Sequence, residues 1–252
     1  MPRLAAIILT FNEAEHIVEC IESVKFADSV VIFDGFSTDD TVGMAQNAGA
    51  EVVQCKFEDF STQRNSALEA VKHAADWVLF VDADERVTPE LAAEVREVIE
   101  STEHVGWRLP RHNYIFGKLT RATGWYPDYQ TRLLKMGACH YERKVHEIVV
   151  LDGTEGTLKE HLIHYNYKNV GQFMAKQGRY VVFDAEIMHS QGIRPKLQNY
   201  LLQPLRHFWW RFVTLKGYRD GLHGFRLSAL MSWYEFRKYW LLRGLWKRGS
   251  AS

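Results

Sequence analysis

The first hundred residues alternate between strand-like and helix-like segments four times, and this alternation limits the possible folds more than any other feature. The strand-like segments are apolar runs, which is typical of strands buried on both faces of a parallel sheet. We predict strands at 4–11, 29–33, 51–57 and 77–81, with helices beginning at 12–13, 37–38, 61 and 88–89. Alternating strands and helices pair in parallel through right-handed crossovers. The sequence therefore predicts an α/β fold with a mostly parallel sheet flanked by helices.

The strand at 77–81 ends in two carboxylates, Asp82 and Asp84. In an extended chain, residues two apart point the same way, and ligands of open α/β sheets bind beyond the carboxyl ends of the strands. Two like charges held together repel, so a cation between them or a polar ligand above them would favour this arrangement. The alternative is an ordinary acidic loop after a strand, and the triplet alone does not decide between the two.

Polar residues also follow the first two predicted strands. These are Thr10, Phe11, Asn12 and Glu13 after the first strand and Asp34 after the second. The chain contains neither G-x-G-x-x-G nor G-x-x-x-x-G-K-[ST], which argues against a dinucleotide dehydrogenase and a P-loop enzyme. Acids and short polar groups gathered at one sheet edge suit ribose hydroxyls, a base edge and a metal ion.

Four short motifs occur in order along this half of the chain, at residues 8–13 (ILTFNE), 34–39 (DGFSTD), 64–65 (RN) and 82–84 (DAD). Together they resemble the nucleotide-binding half of family-2 glycosyltransferases, which have the Rossmann-like GT-A fold. The resemblance covers roughly residues 4–90. It implies that the loops at Thr10, Phe11 and Asp34 hold the nucleotide base, and that Arg64 lies near the base and the diphosphate.

The same resemblance implies that Asp82, with the adjoining Ala83, contacts the ribose and that Asp84 binds Mg²⁺ or Mn²⁺. A nucleotide sugar loses its diphosphate as an anion, and a divalent cation that bridges the diphosphate oxygens stabilises the developing charge. Without a cation, the acidic sheet edge would repel the diphosphate.

Segments of the second half resemble a narrower branch, the bacterial lipopolysaccharide-core glucosyltransferase type: 124–128 (GWYPD), 146–147 (HE) and 164–165 (HY). Glycosyl transfer needs a base that takes the proton of the acceptor hydroxyl. The resemblance implies Glu147 as that base with His146 beside it, and Asp128 is the second candidate; surface salt bridges are the alternative for both acids. Trp125 and Tyr126 could stack on an acceptor sugar, although loop aromatics also serve packing.

The C-terminal segment is basic and aromatic. Residues 200–252 hold ten Lys and Arg against two Asp and Glu, a net charge of +8, and five of the eight Trp. Basic helices rich in Trp and Leu are typical of the anionic bilayer interface. The alternatives are packing on its own domain or on a second subunit, and binding of single-stranded nucleic acid, which nothing else in the chain supports.

No apolar stretch is long enough for a membrane-spanning helix, and the N-terminus is predicted to be a strand rather than a signal peptide. The three Cys are far apart and odd in number, as expected in a reducing cytosol. We therefore expect a cytoplasmic protein that is peripheral on the inner face of the cytoplasmic membrane, and a homo-oligomer stays open.

The sequence predicts an inverting, metal-dependent glycosyltransferase that moves a hexose such as glucose from a UDP-sugar to a saccharide or lipid-linked acceptor. Residues 1–100 would bind the nucleotide sugar, 101–168 would form the acceptor and catalytic half, and 169–252 would form the helical membrane-interface region. One alternative is a nucleotidyltransferase, which usually carries a Gly-rich basic loop where Asn12 and Glu13 stand here. The other is a non-catalytic membrane-associated protein that binds sugar nucleotides or glycans.

Overall fold

The computed structural model describes residues 1–143 and 147–249 and divides the chain into two compact units. The first unit consists of Met1–Arg111 and Asp128–His164, and the second of His112–Pro127 and Tyr165–Ser252. The division into donor, acceptor and membrane segments that the sequence suggests stays a prediction.

The first hundred residues contain β1 (Leu4–Thr10), α1 (Ile17–Val24), β2 (Ser29–Asp34), α2 (Thr41–Asn47), β3 (Glu51–Gln54), α3 (Phe60–Val71), β4 (Trp77–Asp82), β5 (Glu85–Val87) and α4 (Pro89–Glu100). The chain continues with β6 (Gly106–Ile115), β7 (Lys118–Leu119), β8 (Tyr129–Lys135), β9 (Cys139–Glu142), β10 (Ile148–Leu151), β11 (Glu155–Thr157) and β12 (Leu162–Tyr167). It ends with α5 (Val170–Ser190), α6 (Asn199–Trp209), a π-helical segment (Trp210–Thr214), a 3₁₀ turn (Gly217–Asp220) and α7 (Gly221–Gly249).

The main sheet has the strand order β3-β2-β1-β4-β8-β6-β12-β5. The strands β3, β2, β1 and β4 pair in parallel, whereas β8 runs antiparallel to β4 and to β6. The mostly parallel α/β sheet is thereby confirmed. In this register Thr10 lies opposite Asp34, and Leu9 lies opposite Asp82. The predicted convergence of three strand ends at one edge is thus also confirmed.

Both faces of β1 and β4 are covered, as the apolar runs predict. On one face Ile8 and Leu79 pack in a cluster with residues of α1 and α4. On the other face Ile7 and Phe80 pack in a cluster with residues of α3 and β9. Since successive strand residues point to opposite faces, a continuous apolar run is needed here. The sheet edge beyond β1, β2 and β4 is therefore built on a fully buried scaffold.

Several predicted boundaries are wrong for identifiable reasons. The first helix begins at Ile17 and not at 12–13, because the side chains of Ser37, Thr41 and Asp39 accept from the backbone N–H groups of residues 12–14. The second helix begins at Thr41 and not directly after residues 37–38. The third strand ends at Gln54, and α3 begins earlier than expected, where the Asp59 carboxylate accepts from Thr62 N at 2.8 Å. The short strand β5 was not predicted. The start of α4 is confirmed, since Thr88 caps it and Pro89 occupies its first turn.

The second unit contains the three C-terminal helices, so the predicted helical C-terminal region is confirmed. The long helix α7 packs against α5 through Phe173 and Tyr234, and the Tyr234 hydroxyl donates to the carbonyl oxygen of Met174 at 2.9 Å. It packs against α6 through Ser232, whose hydroxyl donates to the Pro204 carbonyl oxygen at 2.6 Å. Within the described part of the chain, none of the helices combines the length and apolarity that crossing a membrane requires.

Candidate active site

Asp34 lies at the carboxyl edge of the sheet, where β2 ends. Its side chain is fully buried and accepts hydrogen bonds from Thr10 Oγ1 at 3.0 Å, from Gln54 Nε2 at 3.2 Å and from the backbone N–H of Ser37 at 2.8 Å. Burial raises the pKa of Asp34, but the hydrogen bonds from Ser37, Gln54 and Thr10 outweigh it and leave this pKa below its usual value. The carboxylate is therefore ionised at neutral pH and fixes the loop that follows β2.

The loop after β1 is tied to the loop after β2 by reciprocal hydrogen bonds. Asn12 N donates to Ser37 Oγ at 2.8 Å, and Asn12 Oδ1 accepts from Thr38 N at 2.8 Å. Asn12 has a φ of 57°, a left-handed conformation that Asn adopts more readily than most residues. Glu13 N donates to Thr41 Oγ1 at 2.8 Å. The Phe11 ring, 60% exposed, is thus presented to solvent from a fixed loop.

An arginine–carboxylate network, defined as Arg64, Arg111 and Arg132 with Asp82, Glu85, Asp128 and Glu147, lies beyond β4. Arg132 binds Asp82 through both Nη atoms, and Arg64 Nη2 lies 3.5 Å from Asp82 Oδ1. Arg64 Nε also lies 3.4 Å from Glu147 Oε1. The buried guanidinium of Arg64 therefore contacts both Asp82, which is predicted to bind the ribose, and Glu147, which is predicted to be the general base.

Glu85 holds the other side of this network. It is fully buried, and its Oε1 lies 3.0 Å from Arg111 Nη1 and 3.5 Å from Arg132 Nη2. Its Oε2 accepts from Asp82 N at 2.9 Å. Arg111 in turn binds Asp128 through Nη2 at 2.8 Å and Nε at 2.9 Å. Since buried charges are costly without partners, each member of the network depends on the others.

The pKa directions agree with this geometry. Burial raises the pKa of Asp82, but the Arg132 and Arg64 guanidinium groups outweigh it and hold that pKa well below its usual range. Burial lowers the pKa of Arg132, while Asp82 and Glu85 raise it above its usual value. Asp82 and Arg132 therefore stay charged at neutral pH.

Replacing Arg132 with methionine should therefore destabilise the first unit by about 3 kcal/mol, because Asp82 and Glu85 would lose a buried counter-charge. Thermal and urea unfolding measure the difference, and Arg108→Met, at a 49% exposed side chain, is the control with little effect.

The lowered pKa of Asp82 means that its contribution to stability is present above about pH 3.9, its unfolded value, and is lost as the pH falls below that. The difference in the free energy of unfolding between the Arg132 variant and the unchanged chain should accordingly become smaller below about pH 4. An Arg132 variant as stable as the unchanged chain at pH 7 would contradict the network.

Asp84 has a different environment from Asp82. The strand β4 ends at Asp82, and residues 83–84 form a turn, so the expectation that Asp82 and Asp84 lie on one extended chain is wrong. Asp84 Oδ2 instead lies 3.4 Å from Nε2 of His164. The pairing of β12 with β5, which sets His164 opposite Glu85, brings the imidazole to this turn.

Within residues 1–143 and 147–249, no three His, Cys, Asp or Glu side chains are grouped so that they could hold a metal ion. Asp84 and His164 nevertheless offer one carboxylate and one imidazole at the same place. Mg²⁺ and Mn²⁺ sites of enzymes commonly use few protein ligands and complete their coordination with water and phosphate oxygens. The pair fits such a cation together with a diphosphate.

The structure brings most of the predicted site residues of the first unit to the carboxyl edge of the sheet. Ala83 is buried in the turn between Asp82 and Asp84. Trp125 and Tyr126 belong to the second unit, where the Trp125 carbonyl accepts from Asn113 Nδ2 at 2.9 Å and Tyr126 is 40% exposed. His146 lies outside the described residues. Arg111, Arg132, Glu85 and His164 are not among the residues that the sequence predicts for the site.

Comparisons with known proteins agree with the motifs. Residues 5–155 match the model of the family described as Glycosyl transferase family 2. The lipopolysaccharide core biosynthesis glycosyltransferase LpsC of Rhizobium meliloti (strain 1021) is 29% identical over 247 residues, which cover 92% of this chain and 89% of LpsC. An uncharacterized glycosyltransferase of Rickettsia felis is 28% identical over 267 residues, covering 96% of this chain and 90% of that protein. Among solved structures, glucosyl-3-phosphoglycerate synthase from Mycobacterium tuberculosis in complex with Mn²⁺, UDP and phosphoglyceric acid is similar with a TM-score of 0.47 and 15% identity, covering 76% of this chain and 79% of that one.

Proposed function

The chain belongs to glycosyl transferase family 2, and we propose that it transfers a hexose from a UDP-sugar to a saccharide or lipid-linked acceptor, with inversion at the anomeric carbon. The observation that carries the proposal is that Asp34 and Asp82 lie at the same carboxyl edge of the sheet, with Asp84 in the turn after β4 and Arg64 Nη2 3.5 Å from Asp82 Oδ1. The similarity to a lipopolysaccharide core glycosyltransferase supports an acceptor from a cell-envelope glycan, and glucose is the proposed donor sugar.

The donor would bind along the loops after β1, β2 and β4. The exposed ring of Phe11 offers a stacking face to the base, and Asp34 keeps the two loops in place. The Asp82 carboxylate, oriented by Arg132, suits the hydroxyl groups of a ribose. Nη1 of Arg64 is buried and has no hydrogen-bond partner among the described residues, so it can donate to a phosphate oxygen.

Asp84 and His164 would hold the divalent cation. When bound, the cation neutralises the charge that develops on the departing diphosphate. The distance of 3.4 Å between Asp84 Oδ2 and His164 Nε2, set by the turn after β4 and the pairing of β12 with β5, supports this proposal. The sequence predicts Asp84 as a metal ligand, and we propose His164 as a second ligand because its imidazole lies beside Asp84.

Glu147 is the proposed general base. Its carboxylate lies 3.4 Å from Arg64 Nε and is 23% exposed, so it is both held and accessible. It would accept the proton of the acceptor hydroxyl while the new glycosidic bond forms. Asp128 is the second candidate, but Arg111 binds its Oδ2 twice and Gln130 Nε2 donates to its Oδ1 at 3.0 Å. Glu147 is therefore favoured. His146 beside it, and Trp125 and Tyr126 as acceptor contacts, remain predictions.

Thermal unfolding with candidate donors tests the proposed function. A UDP-hexose at about one hundred times its Kd, with Mn²⁺ present, should stabilise the folded chain by about 2.7 kcal/mol and raise its Tm by several degrees. Omitting Mn²⁺ should remove most of the increase. Stabilisation by a nucleoside triphosphate with a sugar 1-phosphate, and not by UDP-hexose, would instead indicate a nucleotidyltransferase. Binding of UDP-hexose without release of UDP to any acceptor would indicate a non-catalytic binding protein.

We further propose that the enzyme works in the cytoplasm as a peripheral protein on the inner face of the cytoplasmic membrane. The net charge of +8 on residues 200–252 supports contact with anionic lipids. A lipid-linked acceptor requires such contact. A nucleic-acid partner is not proposed, and a homo-oligomer is compatible with this location.

A further inference from the structure

Helix α6 turns its apolar side chains toward solvent. Leu201, Leu202, Leu205 and Trp209 are between 57% and 65% exposed. Their spacing of one, three and four residues places them on one face of the helix. We call these four side chains the α6 apolar face. A helix of a globular protein normally buries such a face against the core, whereas α6 exposes this face to solvent.

The neighbouring side of α6 accounts for this orientation, because it is the side that packs on α7. The Tyr200 ring lies 6.2 Å from the Phe236 ring, and the Pro204 carbonyl accepts from Ser232 Oγ. The Phe208 ring lies 5.5 Å from the ring of Phe225. The helix is thus docked by specific contacts on one side, and the α6 apolar face is held outward by them.

We infer that the α6 apolar face inserts into the interfacial layer of an anionic lipid bilayer. The inference rests on the proposed peripheral membrane location and specifies the element that makes the contact. Helices that lie in a bilayer interface combine one apolar face with basic flanks. Here Arg206 lies exposed beside the face, and Lys216, Arg219 and Arg226 are exposed in the segment that follows.

Charge argues for an anionic bilayer over other occupants. Helix α6 contains no acidic residue, and residues 200–252 carry a net charge of +8. Two copies of the chain that met through this face would bring two such charges together, which costs free energy, whereas anionic lipids neutralise them. Single-stranded nucleic acid is disfavoured because bases stack on aromatic rings, and three of the four side chains of the face are leucines.

The length of α6 fits a helix lying in the plane of the membrane. Its 11 residues correspond to a length of about 16 Å, well short of the ~30 Å hydrocarbon core. The leucines and Trp209 would then occupy the boundary between headgroups and acyl chains, where Trp is favoured.

Helix α5 provides an internal comparison. Phe183 and Ile187 are also exposed, at 61% and 49%, but Asp184 and Glu186 are exposed among them. Carboxylates on the same surface would be repelled by anionic lipids. We therefore do not expect α5 to insert, and Phe183 is a matched control because its exposure is close to that of Trp209.

The test uses the full chain and vesicles of phosphatidylcholine and phosphatidylglycerol in equal amounts. Co-sedimentation should be strong at low salt, weaker at high salt and weakest with pure phosphatidylcholine. The triple variant Leu201→Ser, Leu205→Ser and Trp209→Ser should have a partition coefficient onto the anionic vesicles that is about one hundredfold lower. Phe183→Ser should bind as the unchanged chain does. Circular dichroism and UDP binding measured on the same samples show whether each variant is folded.

Undiminished sedimentation of a folded triple variant would overturn the inference. So would a chain that ignores anionic vesicles but forms dimers that the triple variant cannot form, since the face would then be an interface between copies. The proposed enzymatic function is tested separately, by UDP release with soluble acceptors. A chain that binds vesicles through α6 but transfers no sugar would sustain this inference and refute the function.

Discussion

Replacing Asp84 with alanine should abolish metal-dependent sugar transfer while the fold stays intact. Asp84 lies in a turn with a 27% exposed side chain beside His164, so its loss should change the stability by less than about 1 kcal/mol. Loss of a cation that neutralises the leaving diphosphate removes several kcal/mol of transition-state stabilisation, which corresponds to about three orders of magnitude in rate. The measurement is UDP release from a UDP-hexose with Mn²⁺ and with EDTA.

Asp152→Ala is the matched control, because Asp152 is exposed and also lies between two strands of the first unit, β10 and β11. It should leave turnover unchanged. His164→Ala should weaken activation by Mn²⁺ in the same direction as Asp84→Ala. An Asp84→Ala variant that keeps full activity in the presence of EDTA would refute the metal role of this carboxylate.

Replacing Glu147 with glutamine should remove turnover without removing donor binding. The amide keeps the size of the side chain and an oxygen that can accept from Arg64, which lies 3.4 Å from the carboxylate, but it cannot take a proton from an acceptor. Loss of a general base lowers rates by about 10²–10⁴-fold. Steady-state UDP release should fall by this factor, whereas the Tm increase given by UDP-hexose with Mn²⁺ should stay as it is.

Two further variants separate the roles of the carboxylates. Glu142→Gln, at an exposed position on β9, should behave as the unchanged chain does. Asp128→Asn should mainly lower stability, since Asp128 is bound by Arg111. Unchanged turnover of Glu147→Gln, combined with lost turnover of a folded Asp128→Asn variant, would move the base to Asp128.

Much of the donor-side architecture could be predicted from the sequence. Apolar runs without alternation correctly identified β1, β2 and β4, because strands covered on both faces need such runs. Polar residues directly after these runs predicted the sheet edge, which the parallel register then confirmed. The resemblance to family-2 glycosyltransferases and the GT-A fold class are confirmed by the family match over residues 5–155 and by the mostly parallel sheet.

The arginine–carboxylate network could not be predicted, because its members come from distant segments. Arg132 and Asp82 are 50 residues apart, and Arg64 and Glu147 are 83 apart. They meet through the antiparallel pairing of β8 with β4 and the position of α3, neither of which has a local sequence signal. A fully buried Glu85 also has no signature in sequence, since most acidic residues after strands are solvated.

The position of His164 depended on a similar long-range feature. The three-residue strand β5 is too short for a period-two pattern to identify, and only its pairing with β12 brings His164 to Asp84. Residues 83–84 likewise form a turn, whereas the spacing of Asp82 and Asp84 predicts that both project from an extended strand. The structure thus suggests different partners for the two carboxylates.

The central claim is that Asp84 and the neighbouring sheet edge hold a divalent cation and the diphosphate of a UDP-sugar. A crystal structure of the protein with UDP and Mn²⁺ tests it most directly. We expect Mn²⁺ to be coordinated by Asp84 and by diphosphate oxygens, with the uridine between the loops after β1 and β2. A structure with the nucleotide bound elsewhere, and no metal density at Asp84, would contradict it.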